Sequence, residues 1–466
     1  MRSPGPERTL VLAIAIAAVV AIAIDVSVSN VPGSIDQQIV RAEAPFEART
    51  AFCPPPFTQR TSSSSVVAFG EPGRDVTVGI EPTDDEKVRL PDDRMLIRKL
   101  DGPALGIVGY GGPMHAAALL SAESPAQGAD ASRCAQASSS EWFFGEGSSS
   151  LGYDERILIR NPFPEEAVVA ISFYTPSGKT ARANLSEVAV PAGETRFVKV
   201  NDFILRQPVL GASVAAERGR IIAWRALFAA PEDRPAGVQF TLGAPEPDTE
   251  WYFPEGAVGT GLTEELSLLN PNGREAVVSV ALMTSTQTVQ PPKLVEVRIR
   301  PESLKVLSLP EILGGRDDDL GAVGAAIRST NEVGIVAERT VWYAAGRTGV
   351  ASEIGARDLF EAWMVPPASV SSTEDSVVVV NPGSVNARVS VTLIRAEGGP
   401  IRPRALQDVR VKGGTRRRFV LTNFTGGAPM TAVVTSSERV AAERVSSTGN
   451  GDVSAVMGFG LRPSER

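Results

Sequence analysis

The sequence predicts an all-β protein, a tandem array of immunoglobulin-like β-sandwich modules behind an N-terminal transmembrane helix. Three observations lead there. Trp142, Trp251 and Trp363 stand 109 and 112 residues apart, and a fixed period of roughly 110 residues with the same internal punctuation marks tandem copies of one fold. The 43 Gly and 35 Pro fall between short runs rich in Val, Ile, Thr and Phe with period-two alternation, the pattern of strands joined by tight turns. No long helical pattern follows the first thirty or so residues. About seven strands per repeat suit a sandwich, whereas a propeller blade would repeat every ~40–50 residues.

In chain order, residues 1–8 carry Arg2 and Arg8 and form a basic cytoplasmic n-region, followed by an apolar run over 9–28. Basic residues ahead of such a run place its far side outside the cytoplasm. We read it as an uncleaved signal anchor, with cleavage after Ala21-Ile22-Ala23 as the alternative. Residues 29–50 form a linker. A shortened module over 51–137 lacks the Trp. Three full modules follow, at 138–247, 248–360 and 361–466.

Each full module opens on its Trp, and eighteen or nineteen residues later an aliphatic strand stops at Asn161, Asn270 or Asn381, each followed by Pro. An alternating strand comes next (Ala167 to Tyr174, Ala276 to Met283, Ala387 to Ile394), then a strand ending in a short loop. A return strand then carries an Arg 64, 69 and 63 residues after the Asn: Arg225, Arg339 and Arg444. The Asn residues read as turn formers. The arginines read as strand residues that make an intramodule ion pair or cover the sheet. The Trp rings read as core plugs, with sugar-stacking platforms as the alternative.

The only two cysteines, Cys53 and Cys134, bracket the shortened module. In an exported chain an isolated pair reads as a disulfide stapling the domain with the least core; two unpaired buried thiols are the alternative.

A net charge of −8 removes the general basic footprint of a nucleic-acid binder. The cluster Arg402, Arg404, Arg410, Lys412, Arg416, Arg417 and Arg418 reads as solvated strand edge, or else as a patch for an anionic envelope polymer. The single histidine, His115, excludes a His-built metal cluster or a repeated Ser-His-Asp triad, and is expected as a packed strand residue. Acidic groups at Asp84-Asp85-Glu86, Glu264-Glu265 and Asp317-Asp318-Asp319 read as solvated loops. No metal, cofactor or catalytic turnover is expected.

The opening Trp-φ-φ-(Pro/Gly)-Glu-Gly at Trp142–Gly147 and Trp251–Gly256, the strand ending in Asn-Pro, and the Ala-Glu-Arg return strands at 337–339 and 442–444 resemble an actinobacterial family of uncharacterised secreted or membrane-anchored proteins, a domain of unknown function built of tandem β-sandwich repeats. The resemblance implies a cell-envelope location and a link to surface polysaccharide assembly. The last module departs from it, with Pro366-Pro367-Ala368 in place of Pro-Glu-Gly, which separates it from any shared role of Glu146 and Glu255. The expected function is a non-catalytic scaffold, a rod of sandwiches tethered to the cytoplasmic membrane through 9–28 with its modules outside, meeting an envelope protein or polysaccharide. A carbohydrate-binding or carbohydrate-processing envelope protein is the alternative.

Overall fold

The computed structural model describes residues 43–45 and 50–462, except 57–60, 72–74, 82–86, 101–105, 111–112, 124–125 and 315–320. The anchor at 9–28, the Asp84–Glu86 group and the Asp317–Asp319 group lie outside these residues. Among the described residues no helix is long and apolar enough to cross a membrane.

The chain is all-β, and each repeat builds two antiparallel sheets. In module two, one sheet runs in the spatial order Glu141–Phe144, Gly211–Arg218, Ala167–Thr175, Gly178–Ala181; the other runs Thr195–Lys199, Tyr153–Arg160, Ile222–Ala229, Gly237–Leu242. Modules one and three repeat this order, and in module four the long strand Thr431–Ser447 passes from one sheet to the other. The shortened first module thus keeps the two-sheet order with eight strands among the described residues against nine in module two, because only one short strand, Val88–Leu90, pairs with its alternating strand where module two has two. Three strands per module matter below: an inner strand ending near the Asn-Pro turn, a return strand, and a closing strand. The closing strands are Gly128–Arg133, Gly237–Leu242, Gly349–Ile354 and Val453–Met457.

The repeated residues explain the local structure. Trp142, Trp251 and Trp363 are 1%, 0% and 2% exposed, and each indole donates to a backbone carbonyl: Ile221 and Ile335 just before the return strands of modules two and three, and Val440 within the long strand of module four, at 2.8, 2.9 and 2.8 Å. A buried indole keeps its N–H paired this way. Each Asn closes the same turn. Asn161 Nδ2 donates to Glu165 O at 2.6 Å and Val190 O at 3.0 Å, while its Oδ1 accepts the Phe163 amide. Asn270 and Asn381 repeat the pattern. Cys53 and Cys134 form a disulfide in module one.

The modules close into a ring; they do not extend as a rod. The closing strands lie against one another in cyclic order, the fourth returning to the first. Asp130 in the first accepts the Phe240 amide of the second at 2.7 Å, Glu353 in the third accepts the Met457 amide of the fourth at 2.9 Å, and the Ser454 hydroxyl of the fourth donates to Asp130 at 3.3 Å. Such an approach needs glycine at the contact: a Cβ on Gly237 would stand 2.6 Å from Val350. The cores also run between neighbours. Phe143, Tyr174 and Ala244 of module two join the core of module three, and Val67, Phe69 and Met95 of module one pack with Met364, Val433 and Phe459 of module four. Each contact uses one face of one module and a different face of the next, a head-to-tail geometry that closes after four copies.

Candidate functional site

Among the described residues, three of the four ion pairs with both side chains fully buried lie at module junctions. Successive strand residues point to opposite faces, so in the return strand of module three Glu338 looks back to module two while Arg339 looks forward to module four. Arg225 of module two, with no exposed side chain, meets Glu338 Oε1 at 2.8 Å and also Glu146 of its own module at 2.7 Å, Gln239 and Thr241. The other oxygen of Glu338 accepts the amides of Gly145 and Glu146, both at 3.0 Å. At the next junction Arg339 makes a two-pronged pair with Glu443 at 2.7 and 3.0 Å, and Glu443 accepts the Glu255 amide at 3.0 Å. The intramodule pairing expected for the repeated arginines therefore holds for Arg444 and, through Glu146, for Arg225, which pairs across the junction as well, whereas the carboxylate partner of Arg339 lies in the next module. Arg444 binds Asp375 of its own inner strand, through Nε at 2.7 Å and also through Nη2.

Register explains why Arg444 makes no pair across a junction. Ala118 faces Ser132 in module one as Arg225 faces Thr241, Arg339 faces Glu353 and Arg444 faces Val456. Module one thus has Ala117-Ala118 where module three has Glu338-Arg339, and it offers Arg444 no partner across the seam. Asp375 takes up that guanidinium instead.

Two sequence expectations are corrected here. Glu264 does not lie in a solvated loop; it is fully buried in the strand Leu262–Asn270. Arg416 is not a solvated edge residue. It is 3% exposed and pairs with Glu255 at 2.5 Å, with Arg418 on the other carboxylate oxygen, because the approach of module three covers that edge. Glu255 is held below the usual carboxylate range: burial opposes this, but Arg418, Arg416 and Arg339 outweigh it. Glu146, in the same motif, instead serves Arg225 and is pushed up to about 7 by burial, so the two glutamates do different work. His115 is packed as expected, against Phe459 at 4.8 Å between ring centres, with Glu71 and Gln136 on its nitrogens.

Reading the residues alone missed one position. Glu155, Glu264 and Asp375 each stand six residues before the Asn, a fixed offset that would have identified them. Burial pushes Glu155 and Glu264 up to about 8, and Glu155 accepts the Ser148 amide at 2.7 Å. A carboxyl raised in the folded state binds its proton more tightly there than in the unfolded chain. It therefore stabilises fully below its unfolded value near 4.5 and loses that contribution as pH rises towards about 8. Thermal unfolding of Glu155→Gln/Glu264→Gln should show a shallower fall in Tm between pH 5 and pH 8 than the parent, and a higher Tm at pH 8. Equal slopes would mean that these carboxyls carry no linkage.

The chain is defined as an all-β protein of four two-sheet modules joined head to tail, with buried ion pairs across the junctions of module three with modules two and four. It belongs to the family of unknown function DUF5719, whose model matches residues 111–316 and 241–459, each match spanning about two modules. No curated protein matches it. A solved structure from Thermotoga maritima, its protein 1070, is 19% identical and covers 24% of this chain and 95% of its own, with a TM-score of 0.21. The Streptomyces avermitilis α-L-rhamnosidase in complex with L-rhamnose is 10% identical and covers 89% of this chain and 55% of its own, with a TM-score of 0.13. Neither likeness carries an argument about function.

Proposed function

We propose that the chain is a non-catalytic interaction protein of the cell envelope, tethered to the cytoplasmic membrane through residues 9–28 with its modules on the extracytoplasmic side, where it meets an envelope protein or polysaccharide. One observation carries the scaffold reading. The side chains that recur between modules, the three Trp, the three Asn and the return-strand arginines, are consumed by internal bonds, so what repeats serves to build and lock the modules. The Cys53–Cys134 bridge supports an oxidising compartment, and basic residues ahead of the apolar run support the orientation. Although the return strand Ile222–Ala229 lies in the other sheet from Gly211–Arg218, in module two Tyr153–Arg160 pairs with Thr195–Lys199, and Ala167–Thr175 pairs with Gly211–Arg218. We read these as the B–E and C–F pairs of an immunoglobulin-like sandwich. The carbohydrate-binding alternative loses its aromatic platforms, since the three Trp rings are buried, and would need another surface.

Protease treatment of intact spheroplasts should digest the modules and leave a membrane-bound N-terminal stub. Protection of the modules, or their release into the medium, would overturn the tethered reading.

A further inference from the structure

The seam between modules four and one, the one that Arg444 does not bridge, holds a cleft of about 610 Å³, within the ~300–1,000 Å³ of small-ligand sites. Module one contributes Ser121, Glu123 and Gln127 to its walls, and module four contributes Thr448, Asn450 and Asp452. Among the described residues no Lys or Arg lines it. The Thr448 hydroxyl is buried there with no hydrogen-bond partner, an arrangement that costs free energy until a ligand or water supplies the bond. Burial alone acts on Asp452, raising it, and Glu123 stands exposed at the rim of the opposite wall. Asp130 is already engaged by the Phe240 amide and the Ser454 hydroxyl, which leaves Asp452 and Glu123 as the groups free to meet a ligand.

The geometry points to a ligand site for an amine-bearing saccharide, with its ammonium between the carboxylates of Asp452 and Glu123 and its hydroxyls on Thr448, Asn450 and Gln127. Carboxylates on both walls attract a cation, and charge-assisted hydrogen bonds fix it more strongly than neutral ones. The amides and hydroxyls between them supply the mixed donors and acceptors that sugar hydroxyls require. An acidic sugar would meet only like charge. The inference rests on the envelope reading above and gives it a ligand class.

Calorimetric titration of the full chain in detergent with the glucosamine disaccharide of chitosan should show saturable binding. Cellobiose, the β-1,4-linked disaccharide with hydroxyls in place of the ammoniums, should bind about tenfold more weakly, the worth of one charge-assisted bond. Asp452→Asn and Glu123→Gln should each weaken binding of the amino sugar by a similar factor, and Glu123, exposed at the rim, can be changed without disturbing the fold. Absence of saturable binding, equal affinity for the two disaccharides, or indifference to both substitutions would overturn the site. The spheroplast result is independent of all three, so failure here is distinguishable from failure of the tethered scaffold.

Discussion

Replacing Arg339 by Met should lower the unfolding free energy of the chain by about 3–5 kcal/mol, the usual cost of stranding one partner of a buried ion pair. Arg339 and Glu443 have no exposed side-chain surface, so water cannot solvate the carboxylate that remains, and Glu443 keeps only the Glu255 amide as a donor. The double variant Arg339→Met/Glu443→Met should recover much of the loss, because apolar replacement of both partners removes the stranded charge. A remainder of roughly 1–3 kcal/mol should persist from the orphaned Glu255 N–H. Arg388→Met, which removes an exposed pair with Asp408, should change stability by no more than about 1 kcal/mol. Urea unfolding midpoints of the four proteins make the comparison. If Arg339→Met and Arg388→Met cost the same, the junction pair does not lock the ring.

Trp251→Ala should destabilise by about 3–5 kcal/mol, as expected for truncating a fully buried aromatic. The ring lies in a core that runs between modules two and three, and its loss also strands the Ile335 carbonyl. Thermal unfolding followed by far-UV circular dichroism measures the effect. A variant with unchanged Tm that had lost affinity for an envelope glycan would place the ring at a binding surface instead.

Legibility in the sequence followed the range of the interaction. The turn at Asn270-Pro271 is written locally, because the Asn side chain bonds backbone only two and four residues on as well as the facing strand. The strands Ala276–Met283 and Ala387–Ile394 match the alternation that announces them, since a sheet with one covered face imposes period two. Glu264 defeated the same reasoning. An acidic dipeptide is ordinarily solvated, and only the Arg339 of a strand some seventy residues away, together with the covering backbone at Gly256, makes its burial intelligible. Arg416 was misread for a related reason, since nothing near it in sequence announces Glu255.

By itself, the sequence determined the repeat, the all-β class, the positions of the turns, the Trp plugs and the pairing of Cys53 with Cys134, because each depends on residue type at a fixed local offset or on elimination among two cysteines. Only the tertiary structure decided that the modules close on themselves, that Arg225 and Arg339 reach across to Glu338 and Glu443 while Arg444 turns back to Asp375, and that a cleft remains at the seam. Those outcomes depend on which faces meet, and that is settled by the summed complementarity of surfaces hundreds of residues apart. The absence of one Glu from module one is invisible until its return strand is laid against module four.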